Sequence, residues 1–452
     1  MNILPMAEKW NNRALISLLW PLVIEQILAV TLGAADTIMV SAVGEHAVSA
    51  VNIIDNINNL LIIAFIAMST GGAVVVSQYI GRHDHDNSSN TAKQLVYIVI
   101  LISLIITAAA LLFRRPIIAL FYGRIEPDVM NAALVYFFIT SLSYPFLALY
   151  NANAALFRAA GNSRVPMRVS ILINIINIGG NAYLLYVLHW GVAGVAISTL
   201  FSRIVAALVT TVLLIRSRSR FVSLSGLFRI RFFKPQIRSI LNVGLPTGAE
   251  ASMFQVGRLL TQRIFTYFGT SAMAANAVTS VVNSLLFMPG TAFGLAILTI
   301  VGQCAGAGDS EEAKKQTRKI MMLAYLTLFA ISTVIYIFLE PMVNLFNLSQ
   351  EAHDMAKLFL RVHCISMAVG WPMSFALPNA LRAAGDNRYV MIIATISMWT
   401  VRVSAAYLFS FVCGWGPLGV WLAMGADFLV RGCLYCLRWM SGKWKDKKVI
   451  GD

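Results

Sequence analysis

The stretch that decides the fold is LGAADTIMV, residues 32–40, which places the carboxylate of Asp36 near the end of an apolar run that begins at about Ala14. An apolar run of ~20 residues is long enough to cross the hydrocarbon layer of a membrane as a helix. A carboxylate at the centre of such a helix costs about 2.5 to 3.5 kcal/mol on insertion scales. Asp36 is therefore expected to have a partner: a proton, a cation or a donor from another helix.

Comparable apolar runs recur along the whole chain, which has 452 residues, 58% of them hydrophobic and 12% charged. This composition predicts an all-α polytopic membrane protein with twelve transmembrane helices. The first run lacks a small-residue cleavage pattern, so we interpret it as a retained span and not as a signal peptide. The predicted spans are residues 14–41, 52–80, 94–114, 130–157, 165–187, 191–215, 239–268, 277–304, 319–339, 354–381, 389–412 and 417–438.

The net charge of +15 follows membrane topology and does not indicate nucleic-acid binding. Basic residues cluster in the linker 216–238 and in the tail after the last span, and they alternate with loops nearly free of Lys and Arg, such as 44–52. This positive-inside pattern predicts a protein of the cell inner (cytoplasmic) membrane with both termini cytoplasmic. The loop with Arg114, Arg115 and Arg124 is the exception, because we place it outside.

The two halves of the chain are copies displaced by about 225 residues. Pro21 and Glu25 in the first span correspond to Pro246 and Glu250 in the seventh, and FRAAGNSR at 157–164 returns as LRAAGDNR at 381–388. Since each half has six spans, the copies are parallel six-helix repeats, an arrangement used by transporters. The expected parts are an amino-terminal lobe 1–215, a basic cytoplasmic linker 216–238 and a carboxy-terminal lobe 239–452.

The linker alternates basic residues with Phe, Leu and Ile. It is expected to lie on the anionic inner leaflet as an amphipathic segment, and for its first third a solvated loop that serves only topology is the alternative.

Polar side chains in the fifth and sixth spans are the candidate partners of Asp36. Asn174, Asn177 and Asn181 lie at i, i+3 and i+7, which places them on one helix face. The adjacent glycines 179–180 allow another helix or an ion to approach closely. Asn side chains also bind neighbouring helices together, and the hydroxyl of Thr199 can bond its own helix, so a purely structural role is the alternative.

Two further acids, Glu25 and Glu250, each follow a proline by four residues. An internal pair between Glu250 and Arg258, two helical turns apart, is one explanation, and a substrate role is the other. In the eleventh span, Arg402 is expected to be packed or paired, with Asp427 as its partner.

The chain resembles the multidrug and toxic compound extrusion (MATE) family of the multidrug/oligosaccharidyl-lipid/polysaccharide flippase superfamily. The features that carry the resemblance are twelve spans in two halves, P-x-x-x-E and an Asp in the first span, RAAGN and RAAGD after the fourth and tenth, and MWTVRV in the eleventh. The resemblance implies a V-shaped fold and cation-coupled antiport that exports amphipathic, cationic drugs or toxic metabolites. It also implies an ion or proton coupling site formed by Asp36, Asn177, Asn181 and Thr199. The candidates for substrate binding or secondary coupling are Glu25, Glu250, Gln255 and Asn174.

The sequence departs from the family pattern at two positions. Asn181 replaces an acid of the DinF-like branch, and Gln255 stands where the NorM-like branch has an acid in the seventh helix. With one carboxylate to offset a desolvated cation, protonation of Asp36 is simpler than binding of Na⁺, and Asp36 is the only position expected to hold Na⁺.

Other functions fit the sequence less well. A flippase for lipid-linked precursors is expected to have a more cationic cavity, a channel does not need the duplicated architecture, and an enzyme needs a His and acid cluster at catalytic spacing. The expected partners are a small-molecule drug and membrane lipid, with no nucleic acid, and the chain is expected to be a monomer. No cofactor is expected beyond the coupling ion, H⁺ or Na⁺.

Overall fold

A computed structural model of the chain describes residues 10–123, 125–217, 221–447 and 449–450. Throughout these ranges the regular structure is helical, with no β-strand, and the prediction of an all-α protein is confirmed. The helices of the first half are α1 Asn12–Ser41, α2 Glu45–Gly81, α3 His85–Leu112, α4 Arg114–Tyr122, α5 Pro127–Leu142, α6 Tyr144–Ala159, α7 Arg164–Ala182 and α8 Gly191–Ile215.

The second half repeats this order. Its helices are α9 Lys234–Tyr267, α10 Thr270–Gly306, α11 Ser310–Ile337, α12 Leu339–Asn344, α13 Gln350–Val369, α14 Leu377–Ala384, α15 Asn387–Ile396, α16 Ser404–Tyr407 and α17 Leu418–Met440. Short π-helical segments continue or join several of them, at Tyr183–Val187, Pro372–Ala376, Ser397–Val403 and Leu408–Val412.

Most of the long helices can cross a membrane. Among the described residues, nine helices are long and apolar enough, or eleven if the bent pairs α5 with α6 and α13 with 372–384 each count as one span. The bends in these pairs are 45° and 56°. The predicted seventh span is α9, which has 34 residues but is more polar and does not meet the same criterion. The chain is therefore a multi-pass membrane protein, and the predicted count of twelve is reached when α9 is included.

Two short helices, α4 and α12, were not predicted from the sequence. Each begins directly after a break at a matching phenylalanine, Phe113 or Phe338, where the preceding long helix ends. Arg114 and Arg115, which we expected in an external loop, form the first turn of α4, and Arg124 lies outside the described residues.

The internal repeat extends to the backbone of the turns. Asp84 and Asp309 occupy matching positions, and each side chain accepts the backbone N–H three residues on, which caps α3 and α11 respectively. The residue before each cap is left-handed, with φ of 61° at His83 and 74° at Gly308. Glycine adopts this conformation without strain. The same turn is therefore more strained in the first half, where His83 occupies the position.

One difference between the halves lies in the π-helical segment Ser397–Val403. The displacement between the copies is 224 residues at the RAAG motifs and 225 at Trp190 and Trp415, so the second half has one extra residue between these points. A π-helical turn accommodates such an insertion. The corresponding helix α7 is regular through Ala182, and the π-helical segment of the second half contains Arg402.

The linker between the halves is irregular where it is described, at 221–233. It is attached to α3, because Gln94 Nε2 donates to the carbonyl of Arg231 at 2.7 Å and Tyr97 OH donates to that of Leu227 at 2.6 Å. Arg218 and Arg220 lie outside the described residues, and the predicted contact with the inner leaflet stays a prediction.

The chain packs into two compact units, Trp20–Gly248 and Met1–Leu19 together with Ala249–Asp452. The divisions fall inside α1, one residue before Pro21, and inside α9, two residues after Pro246. Below, the first is called the amino-terminal unit and the second the carboxy-terminal unit. The lobe boundaries expected from the sequence stay predictions.

Candidate functional site

A chain of hydrogen bonds in the amino-terminal unit joins Asp36 on α1 to α7 and α8. Asn181 Nδ2 donates to Asp36 Oδ1 at 2.6 Å and to Asn177 Oδ1 at 3.2 Å. Asn177 Nδ2 in turn donates to Thr199 Oγ1 at 3.1 Å. Both asparagines are fully buried. The structure thus brings together the four residues that the sequence analysis selected for ion or proton coupling.

The close packing of α7 on α8 holds this chain of hydrogen bonds in place. A Cβ added at Gly180 would overlap Ser198 Oγ and lie 3.2 Å from Ser198 Cβ, so a larger residue at this position would displace the Ser198 hydroxyl. Ser198 Oγ then donates to the carbonyl of Asn177 at 2.8 Å. The expected close approach is found at Gly180, whereas Gly179 has nothing within 4 Å of its Cβ position.

A second carboxylate, Asp55 on α2, lies near Asp36. Its Oδ1 atom is 3.3 Å from Tyr136 OH and 3.4 Å from Asn58 Nδ2, which are its hydrogen-bond donors. Asp55 and Arg203 both interact electrostatically with Asp36. The expectation of a site with a single carboxylate is therefore wrong, since two acids and one arginine share this region.

Sequence reasoning missed Asp55, Tyr136 and Arg203. A signal for Asp55 was present in the polar run NIIDNINN at 52–59, at the start of the second span. Tyr136 and Arg203 reach the site only through the packing of α5 and α8 within the unit, which their own sequence positions do not indicate.

Oxygen atoms that can receive a proton or a cation are present in this site. The side-chain oxygen of Asn181 is buried and has no hydrogen-bond partner among the described residues. With the Asp36 carboxylate, Asn177 Oδ1 and Thr199 Oγ1, it supplies the hard oxygen ligands that Na⁺ or a proton relay needs.

Glu25 and Glu250 are held by arginines of the RAAG motifs. Arg158 Nη1 donates to Glu25 Oε1 at 2.7 Å, and Arg382 Nη2 donates to both carboxylate oxygens of Glu250 at 2.6 Å. The predicted pair of Glu250 with Arg258 is wrong. Residues eight positions apart are separated by about 12 Å along a helix, whereas Arg382 reaches Glu250 from α14.

The other two candidates do not join the chain of hydrogen bonds. Asn174 Nδ2 donates to the carbonyl of Ser170 at 2.8 Å, one turn earlier on α7. Gln255 is partly buried on α9 and does not line the cavity described next.

The carboxy-terminal unit contains a cavity of about 480 Å³ bounded by α9, α10, the π-helical segment Ser397–Val403 and α17. Two arginines, Arg258 and Arg402, line it, and its described lining includes no acid. The predicted partnership of Arg402 with Asp427 is confirmed, with Nη1 3.8 Å from Oδ2, an ion-pair distance too long for a hydrogen bond. The lining residues are Arg258, Thr261, Gln262, Phe265, Thr266, Met273, Asn276, Ala277, Ser280, Asn283, Ser284, Arg402, Val420, Trp421 and Met424.

Two curated relatives match nearly the whole chain. An uncharacterized transporter YisQ from Bacillus subtilis is 30% identical over 442 residues, which are 96% of this chain and 95% of that protein. A probable multidrug resistance protein NorM from Thermotoga maritima is 29% identical, with 99% of this chain and 97% of that protein covered.

Solved structures show the same fold at low sequence identity. A MOP superfamily transporter from Pyrococcus furiosus, described as having a binding pocket of reverse polarity, aligns with a TM-score of 0.89 at 19% identity and covers 96% of this chain and 97% of its own. A MATE structure in a bent conformation aligns with a TM-score of 0.88 at 19% identity over 95% of this chain and 94% of its own.

A model of the MatE family matches residues 21–184 and 246–408, one match in each half of the repeat. The matched segments together cover more than half of the chain and include Asp36, Asn177 and Asn181. The chain therefore belongs to the MatE family of membrane transporters.

Proposed function

We propose that this transporter exports amphipathic organic molecules by antiport with protons, and that Asp36 carries the coupling proton. The observation that supports this most directly is the bond from Asn181 Nδ2 to Asp36 Oδ1. The relatives named as probable multidrug resistance proteins support drug export, and they do not favour the alternative of a lipid-linked precursor flippase.

Protonation of Asp36 changes what Asn181 can bind. The ionised carboxylate accepts the amide N–H of Asn181, whereas a protonated carboxyl group presents an O–H donor instead. The buried and unpartnered Oδ1 of Asn181 is the acceptor that such a donor needs. Turning the amide to accept the proton removes its Nδ2 atom from both Asp36 and Asn177.

The rearrangement of hydrogen bonds caused by protonation extends from α7 to α8. Asn177 bonds both Asn181 and Thr199, so a turn of the Asn181 amide frees Asn177 Oδ1 and alters the contact to α8. Proton binding then favours one arrangement of α1, α7 and α8 over another. Antiport follows if substrate and proton differ in their affinity for these arrangements.

The hydrogen bonds favour a proton over Na⁺ as the coupling ion. A sodium ion beside Asp36 needs several oxygen ligands, but the amide of Asn181 presents its N–H group to the carboxylate. Binding of Na⁺ requires this amide to turn its oxygen towards the ion and further oxygen atoms to gather around it. A proton requires only the turn of the Asn181 amide.

The expected setting of the transport cycle follows from the sequence. The protein acts in the cell inner membrane as a monomer, with both termini in the cytoplasm. Asp36 and Asp55, with the rings of Tyr136 and Tyr144 in the same unit, suit the positive charge of an amphipathic cation.

The test uses everted vesicles that contain the full-length protein, with the fluorescent cation ethidium and an imposed pH gradient in Na⁺-free choline buffer. Export is expected in wild type and absent in Asp36→Asn, which keeps the side-chain size but cannot titrate. Asp128→Asn, which changes an exposed acid at the start of α5, serves as the matched control. Undiminished export by Asp36→Asn, at equal expression, removes this residue from the mechanism, and collapse of wild-type export without Na⁺ identifies sodium as the coupling ion.

A further inference from the structure

The cavity of the carboxy-terminal unit contains buried donors that lack acceptors. Arg402 is 7% exposed and Trp421 is 6% exposed, and both line the cavity. Within the part of the chain that the structure describes, Arg402 Nε, Arg402 Nη1 and Trp421 Nε1 have no hydrogen-bond partner. Guanidinium and indole N–H groups only donate hydrogen bonds, so the missing partner is an acceptor.

The charge around the cavity is positive. Arg258 lines the cavity, has no ion-pair partner in the described ranges and interacts electrostatically with Arg402. Arg431 also approaches Asp427, with its Nη2 3.6 Å from Oδ2, so two arginines share this single acid. The four charges sum to +2, and a bound anion reduces the repulsion between the arginines.

The orientation of Arg402 is fixed by aromatic rings. Its guanidinium carbon lies 5.1 Å from the ring centre of Phe254 and 6.0 Å from that of Phe428. A guanidinium held in this way by cation–π contacts presents its N–H groups in a fixed plane. Carboxylates match that geometry with two parallel hydrogen bonds.

We propose that this cavity is a binding site for the carboxylate of an aromatic molecule, and that substrates of the transporter include such organic anions. The proposal rests on the proposed export function for its physiological role, but not for the binding itself. The cavity volume of about 480 Å³ lies within the range of drug-sized ligands. Phe265, Met273, Trp421 and Met424 supply apolar contacts, which favour an aromatic carboxylate over inorganic phosphate.

The experiment measures equilibrium binding of 2-naphthoate by calorimetry to the purified full-length protein in nanodiscs of zwitterionic lipid. Neutral 2-naphthamide and cationic 2-naphthylmethylammonium have the same ring system and test the charge. We expect 2-naphthoate to bind about tenfold or more tightly than either, because a hydrogen bond between charged groups is stronger than a neutral one.

The variants separate the cavity from the rest of α9. Arg258→Gln and Arg402→Gln are expected to weaken 2-naphthoate binding about tenfold or more each. Arg263→Gln, which changes an exposed arginine of the same helix outside the cavity, is expected to leave binding unchanged. Since Arg402 also approaches Asp427, Arg402→Lys keeps the charge if Arg402→Gln fails to fold, and Arg258→Gln tests the cavity independently.

Equal binding of the acid and the amide overturns the proposal, as does full binding by both glutamine variants. Competition experiments with other anions identify which kind of anionic group the cavity binds. If inorganic phosphate or dihexanoyl phosphatidic acid displaces 2-naphthoate at lower concentration than benzoate does, the cavity takes a phosphate and the carboxylate proposal is wrong. Binding is measured without a gradient, so its failure is separate from a failure of proton coupling at Asp36.

Discussion

The two halves of the chain use one scaffold for opposite charges. With the displacement of 225 residues, Asp36 and Asp55 of the amino-terminal unit correspond to Thr261 and Ser280 of the carboxy-terminal unit. Asn177 and Thr199 correspond to Arg402 and Met424 in the same way. All four counterparts line the carboxy-terminal cavity. The same place in the repeat is therefore acidic and amide-rich in one unit and basic in the other.

The comparison teaches that scaffold and chemistry are separable in this repeat. The helix caps at Asp84 and Asp309 and the left-handed turns before them occur in both halves. The site, in contrast, has changed by a few substitutions and by the one-residue insertion at Ser397–Val403 that carries Arg402. Side chains at matching positions can thus differ in charge while the helices that hold them keep their order.

The largest expected effect tests the shared scaffold. Glu25 and Glu250 pair with Arg158 and Arg382, whose side chains are mostly buried. Glu25→Gln and Glu250→Gln each leave one of these arginines without its partner, which is expected to destabilise the protein by about 3 to 5 kcal/mol. The measurement is thermal unfolding of the purified protein in one detergent. Both variants are expected to lose stability to a similar extent.

The control for these pairs is Glu340→Gln. Glu340 pairs with Lys357 at 2.5 Å, but its side chain is 55% exposed, so its loss of stability is expected to be much smaller than that of the two other variants. If only one of the two buried variants is unstable, the pairs do not serve a common structural role in both halves.

Much of the scaffold could be predicted from the sequence, because the lengths of the apolar runs and the internal repeat indicate directly where the helices lie. The predicted span 191–215 coincides with α8, and the sequence also predicts the pairing of Arg402 with Asp427. The row of Asn177 and Asn181 was visible because it depends on spacing within one helix.

The missed features depend on contacts between distant segments. Arg382 reaches Glu250 across 132 positions of sequence, and Tyr136 reaches Asp55 across 81. The spacing of residues within a single helix gives no information about such contacts between distant segments. The predicted pair of Glu250 with Arg258 is wrong because the prediction considers only the number of helical turns between the two residues. It neglects the distance of about 12 Å that their side chains would have to bridge.

The second effect tests the charge of the carboxy-terminal cavity. Ser280→Asp places an acid where the amino-terminal unit has Asp55, and the new carboxylate offsets the charge of Arg402 and Arg258. Binding of 2-naphthoate is expected to weaken about tenfold, since one added negative charge opposes the bound anion. The neutral variant Ser280→Asn is the control, and calorimetry is the measurement. Equal binding by Ser280→Asp contradicts the assignment of an anion site.

The smallest expected effect is a change of ion preference at Asn181, with transport retained. Asn181→Asp adds a carboxylate 2.6 Å from the present position of Asp36 Oδ1, where an amide now donates. Two carboxylates at this distance repel unless a proton or a cation lies between them. A cation there gains a further negative charge, in direct contact with it, that offsets its cost of dehydration.

We therefore expect export of ethidium by Asn181→Asp to rise when Na⁺ replaces choline at a fixed pH gradient, whereas wild type is unaffected. Asn174→Asp is the matched control, because Asn174 lies on the same face of α7 but bonds the carbonyl of Ser170 and not Asp36. A general effect of added charge changes both variants alike. An effect confined to Asn181→Asp shows that the amide at this position, next to Asp36, selects the proton over sodium.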